Sequence, residues 1–216
     1  MIMKRLIVTI ILLCLGLTFC LAQGNETIRL PEPRKTGGMP LMEALQKRQS
    51  LRLFSDRELS PQQLSDLLWA AFGVNRDGNK RTAPSAHGWN ETDIYIVKAD
   101  GWYVYDPVGH ALMKGGSQDM RQHSGSQDFV RIAPVSLIYV ADFDRMTGAS
   151  EEDRKFYSAA DAGFIAQNVY LFCASEGLAT VVRGMVDKTK AREVFRLKDS
   201  QHVVLAQTIG FPAVQP

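Results

Sequence analysis

The sequence predicts an α+β fold: a central mixed or antiparallel sheet packed by helices, with one long buried helix at its centre. Asp93 to Lys98 and Trp102 to Tyr105 are β-rich runs split by Ala99-Asp100-Gly101, so two strands form a hairpin through a positive-φ turn. Val135 to Ala141 reads Val-Ser-Leu-Ile-Tyr-Val-Ala, a strand of the kind covered on both faces. Ser150 to Gly177 keeps helical spacing but is apolar almost all round, which demands burial on more than one side, at the centre of the fold or of a dimer. Strands and helices alternate only loosely, which separates this pattern from a series of βαβ units.

Residues 1–22 read as a signal peptide: Lys4-Arg5 is the basic region, Leu6 to Leu13 begins an apolar run that continues through Phe19, and Cys20-Leu21-Ala22 is a small-x-small cleavage site. The run is at the short end for a membrane span, and polar residues follow at once, so no span is expected. The bulky Phe19 directly before Cys20 argues against a lipoprotein. The expectation is therefore an exported protein, periplasmic or secreted. Removing Lys4 and Arg5 leaves 23 basic against 23 acidic residues in place of a net +2, which makes nucleic acid and anionic membrane poor partners. Of three cysteines, only Cys173 remains, in an apolar helical pattern where a small buried hydrophobe is the default.

Residues 23–38 form an N-terminal arm, polar and interrupted by Pro31, Pro33 and Gly37-Gly38; residues 39–216 form the domain. Leu41, Met42 and Leu45 give Met39 to Lys47 a helical pattern. Next comes Arg48-Gln49-Ser50-Leu51-Arg52, where alternate spacing puts two guanidiniums and a hydroxyl on one side of an extended segment, able to converge on one anion. Ser60-Pro61-Gln62-Gln63 is a capping box opening a helix that Gly73 closes. Asn75 to Asn90 reads as loop, with a turn at Asp77-Gly78-Asn79. Pro107 to Asp128 reads as a second punctuated region, with turns at Asp106-Pro107 and Gly115-Gly116 and one short helix. After the long helix, Ala179 to Val182 is a short strand, Asp187 to Leu197 a surface helix and Val203 to Ile209 the last strand.

Four blocks in order resemble the FMN-dependent nitroreductase family, in particular its compact branch related to SagB-type dehydrogenases. They are Arg48-x-Ser50-x-Arg52; Pro84-Ser85-Ala86-His87 before Ile94-Tyr95-Ile96-Val97; Gln127-Asp128-Phe129-Val130 before Ala133-Pro134-Val135; and Asp161-Ala162-Gly163 with Ala166-Gln167-Asn168 through Glu176-Gly177-Leu178 to Val182-Arg183-Gly184-Met185. The resemblance implies a nitroreductase-like fold, a homodimer with intertwined termini, bound FMN, and an oxidoreductase working in two steps on a small organic substrate of nitro, quinone or azoline type. It implies that Arg48 and Ser50 hold the flavin phosphate and that Arg52 lies against the N1/O2 edge, where a cation lowers the cost of accepting a hydride. It further implies that Pro84, Ser85, Ala86 and His87 line the flavin pocket of the partner subunit, that Gln127 bonds the pyrimidine, and that the Arg183-Gly184 backbone reaches N5.

The chain departs from many relatives in having no Lys or Arg after Lys198, and in carrying Arg183 where several have an acid, which would change the charge over the ring face. No side chain is required as a catalytic group, since the flavin carries the chemistry. The alternative is a flavin- or small-ligand-binding protein without turnover. No metal is expected, because His87, His110, His123 and His202 have no ligand spacing; His110 and His123 fall in turn-like regions where exposure is the default. There is no Gly-x-Ser-x-Gly elbow and no Gly-x-Gly-x-x-Gly dinucleotide fingerprint.

Overall fold

The structure, a computed structural model, describes residues 26–213. The expected signal peptide, with Cys14 and Cys20, lies outside these residues. The arm opens with strand β1 (Thr27–Arg29) and leads to helix α1 (Leu41–Lys47). Helix α2 (Pro61–Phe72) starts on the expected capping box: Gln63 N–H donates to Ser60 Oγ at 3.2 Å, and Ser60 N–H donates to Gln63 Oε1 at 3.0 Å. Gly73 ends it with φ −70°, outside the left-handed region; its glycine is set by the Trp69 ring, which a Cβ would meet at 2.4 Å.

The stretch expected as loop after α2 contains a small hairpin, β2 (Val74–Arg76) with β3 (Lys80–Arg81), turning at Gly78 and Asn79, both at positive φ. Strands β4 (Thr92–Lys98) and β5 (Gly101–Asp106) form the expected hairpin. The second punctuated region holds an unforeseen strand, β6 (Ala111–Gly116), besides short turns of 3₁₀ helix. Gly115 and Gly116 are thus strand residues, not a turn. A Cβ on Gly115 would come within 2.0 Å of the Trp102 ring, so the glycines make room for the indole.

Strand β7 (Val135–Asp142) is buried along its whole length. Helix α3 (Glu151–Glu176) runs from the Ser150 cap, with three acids in its first turn, to Gly177 at φ 68°. Strand β8 (Ala179–Arg183), helix α4 (Lys188–Val194) and strand β9 (Gln201–Gly210) complete the domain. The main sheet has the order β1-β6-β5-β4-β7-β9-β8, with every pairing antiparallel. Helices α2 and α3 cover one face through Leu67, Leu68, Ile165 and Val169 against Ile96, Leu137 and Ile209. Phe195 covers the other with Tyr95, Trp102, Ile138 and Val140.

One face of α3 is sealed against the sheet, while Phe156 and Phe164 stay 65 % and 48 % exposed; Leu41, Met42 and Leu45 on α1 are exposed as well. Among the described residues no helix is long and apolar enough to cross a membrane.

Candidate functional site

Strand β8 is the last strand of the sheet, and its outer edge organises the site. Helix α1 ends at Arg48, whose φ −57° and ψ 122° turn the chain into an extended run along that edge. Leu51 N–H donates to Thr180 O at 3.0 Å, and Phe54 bridges Pro212. Leu51 and Phe54 dip into an apolar cluster with Ala133, Ala179, Val181 and Phe129. Arg48 is half-buried, whereas Ser50 and Arg52 are exposed. The arginine block is therefore fastened by apolar neighbours while its polar groups stay accessible.

A residue of the long helix joins this group. Tyr170 on α3 has its hydroxyl 2.7 Å from Ser50 Oγ and accepts from Val182 N–H at 3.0 Å. The Arg48 guanidinium lies over its ring, 5.3 Å from the centroid. A phenol on a helix face otherwise given to the core is itself a signal, because its hydroxyl needs a partner. Lys47, Arg48, Leu51, Tyr170, Thr180 and Pro212 line a cavity of about 440 Å³ here.

Gln127 and Arg183 meet nearby. A Cβ on Gly125 would fall 1.8 Å from Arg183 Nη1 and 3.0 Å from Gln127 Oε1, which places the two groups against the same point. Gln127 Oε1 is buried and accepts no hydrogen bond among the described residues. Arg183 is 4 % exposed and turned inward. It donates to Thr208 Oγ1 at 2.9 Å and Ser124 O at 2.7 Å, with Ser136 Oγ at 3.4 Å. All three acceptors are neutral, and burial pushes the guanidinium down to about 10. The expectation that Arg183 places charge over a ring face is thereby corrected, since strand alternation sends its side chain to the covered sheet face that carries Ser136 and Thr208. Gly184, just past the end of β8, is exposed.

Pro84 to His87 lies elsewhere in the chain. Ala86 N–H donates to Asp161 Oδ2 at 2.8 Å, Ser85 Oγ donates to Glu91 Oε2 at 3.0 Å, and Asn90 N–H donates to Ser85 Oγ at 2.9 Å. Glu91 and Asp161 are both buried, and desolvation raises both carboxyls; for Glu91 the nearby Asp161 adds to the rise. Pro84 and His87 are exposed, and His87, at φ 51°, packs against Trp89 and Tyr157. Asp161 and Tyr170 are nine residues apart on α3, about 13 Å along its axis. One chain thus brings Arg48, Ser50 and Arg52 to the outer edge of β8, sets Gln127 beside the inward-turned Arg183 side chain with Gly184 exposed next to it, and keeps Pro84, Ser85, Ala86 and His87 apart from them.

His110, expected to be exposed, is half-buried and bonded on both nitrogens, to Ser65 Oγ at 2.7 Å and Tyr105 Oη at 2.9 Å. Cys173 is a free, buried thiol that desolvation pushes up, in keeping with a packing role. Among the described residues no group of three or more His, Cys, Asp or Glu could hold a metal ion.

The model of the Nitroreductase family matches residues 45–211. A protein of Methanocaldococcus jannaschii that bears the name nitroreductase is 31% identical over 182 residues, covering 80% of this chain and 90% of its own. A crystal structure from Ralstonia eutropha under the same name has 44% identity and a TM-score of 0.84, over 90% of this chain and 93% of that one. The E. coli microcin synthetase complex shares the fold at 18% identity and a TM-score of 0.66, over 90% of this chain and 80% of that chain.

Proposed function

The chain belongs to the nitroreductase family, and from that premise we propose that it is an exported FMN-dependent oxidoreductase acting in two steps on a small organic substrate of nitro, quinone or azoline type. The observation that carries this reading is that Arg48 to Arg52 runs along the outer edge of β8, fastened by Leu51 N–H on Thr180 O, and that this strand ends at Arg183, with Gly184 next and Gln127 beside the Arg183 side chain. The groups present fit FMN. Arg48 lines the cavity, and Ser50 Oγ lies 2.7 Å from the hydroxyl of Tyr170, which lines it too, so a cation and a hydroxyl are on offer, as a phosphate requires. The buried Gln127 Oε1 still lacks a donor, and an N–H of a flavin pyrimidine would supply one. Gly184 has nothing within 4 Å of where a Cβ would stand, so backbone and ligand can approach closely there.

Bound FMN would supply the redox chemistry, taking a hydride from a donor and passing it to an acceptor. The chain's own residues bind and orient. Arg48 and Ser50 would hold the phosphate, Arg52 would set positive potential along the N1/O2 edge, and Gln127 would fix the pyrimidine end. Pro84 to His87, held rigid by Asp161 and Glu91, would wall the pocket of a second copy in a homodimer.

The test is the visible spectrum of the purified protein from Gln23 onward. The expected result is flavin absorbance, or uptake of added FMN, with anaerobic bleaching by NADPH or by an oxidisable substrate and recovery on adding a nitro or quinone acceptor. Absence of flavin uptake sinks the proposal. Flavin that no donor bleaches leaves the alternative, a flavin-binding protein without turnover.

A further inference from the structure

Resting on the flavin reading above, we propose that Tyr170 is a positioning residue that aims the Ser50 hydroxyl, and with it Arg48, at the ligand phosphate. The Tyr170 oxygen has one proton to give and lone pairs to receive. One lone pair is taken by Val182 N–H at 3.0 Å, a backbone donor held in place by the pairing of Val182 with Gln207. The phenol oxygen is thus fixed by the sheet. Its own proton has Ser50 Oγ at 2.7 Å to go to.

A serine oxygen that accepts from the phenol is free to donate its proton outward, and Ser50 is exposed. An anion can only accept, so of the two donor arrangements open to this pair, a phosphate selects the one in which Tyr170 donates to Ser50 and Ser50 donates to the ligand. The same ring carries the Arg48 guanidinium at 5.3 Å from its centroid. One side chain on a rigid 26-residue helix therefore orients both groups assigned to the phosphate. Lys47, which also lines the cavity, is committed to Glu43 at 2.7 Å and supplies no comparable direction.

The experiment compares FMN with riboflavin, which differ only in the phosphate, by fluorescence titration of the wild-type apoprotein and of Tyr170→Phe. The variant keeps the ring beneath Arg48 and removes the hydroxyl alone. FMN should bind about tenfold more weakly, the scale of one hydrogen bond to a charged group, with riboflavin unchanged within about twofold. Ser50→Ala should show the same selective loss, and the double variant should be no weaker than either single, because Tyr170 acts through Ser50. Unchanged FMN binding in Tyr170→Phe, equal losses for both flavins, or additive losses in the double variant would overturn the proposal while leaving FMN binding itself intact. A wild-type protein that takes up neither flavin overturns the underlying reading, and this proposal with it.

Discussion

Arg52 stands exposed on the extended run along the outer edge of β8. Its replacement therefore separates electrostatics from folding. Arg52→Ala should lower the potential of the bound flavin and weaken FMN binding while the melting temperature stays within about 2 °C, because exposed surface changes cost under about 0.5 kcal/mol. Spectroelectrochemistry checks it; an unchanged potential removes Arg52 from the N1/O2 role. His110 makes the opposite kind of prediction. Ser65 Oγ gives its proton to Pro31 O at 2.5 Å, so toward His110 it accepts. Nε2 then carries the ring proton, and Nδ1 accepts from Tyr105 Oη. Burial lowers this histidine from 6.5, against opposing pulls from the Pro31 carbonyl, Glu32 and Asp66. The unfolded chain thus binds the proton first. Stability from this group is complete above 6.5 and declines as the pH falls through 6.5 toward the lower folded value. Chemical denaturation between pH 7.5 and 5 should show a loss that is shallower in His110→Gln; equal slopes would refute it. The sequence shows His110 beside a turn, and nothing local announces a partner 45 residues upstream at Ser65.

At the scale of elements, the long apolar strand, the capping box and the acid-to-glycine helix were legible because each carries its signal within itself. Strand β6 was not, since Ala-Leu-Met-Lys-Gly-Gly has no β-branched residue and two glycines, and it is made a strand by β5 on one side and β1 on the other. Its glycines report a distant tryptophan, which no local pattern shows. The consequence is measurable: Gly115→Val, a favourable strand substitution on propensity alone, should destabilise by about 2 to 3 kcal/mol because it drives into the Trp102 ring. Urea melts decide the sign. The site follows the same division. Residue types at Arg48, Ser50 and Gln127 could be read from spacing and resemblance. The inward turn of Arg183 and the part played by Tyr170 depend on the register of β8 against β9, which puts Arg183 opposite Ala206 and on the face of Thr208 and Ser136.

Across the whole molecule, the outer surface of α3 with α1 carries Leu41, Met42, Phe156 and Phe164, each between 48 % and 76 % exposed. Apolar side chains of that size left wet are the mark of a face that meets another protein surface. We expect the chain to sediment as a dimer, and Phe164→Glu to shift it toward monomer and release FMN together, since the Pro84 to His87 wall would be lost with the partner. A monomer that retains FMN would disprove the cross-subunit wall.

The arm closes the opposite margin of the sheet. Strand β1 is three residues long and exposed throughout, held by its ladder to β6, by Leu30 N–H on His110 O at 3.1 Å and by the Lys114–Glu26 pair at 2.9 Å. It buries little of its own and serves instead as a cover over the open hydrogen-bonding groups of β6. A protease that trims past Arg29 leaves the β8 edge at the other end of the sheet intact, yet it would uncover a strand able to pair with another chain. A chain trimmed past Arg29 is therefore expected to scatter more light at high concentration than the intact chain, with its β8 edge unaltered.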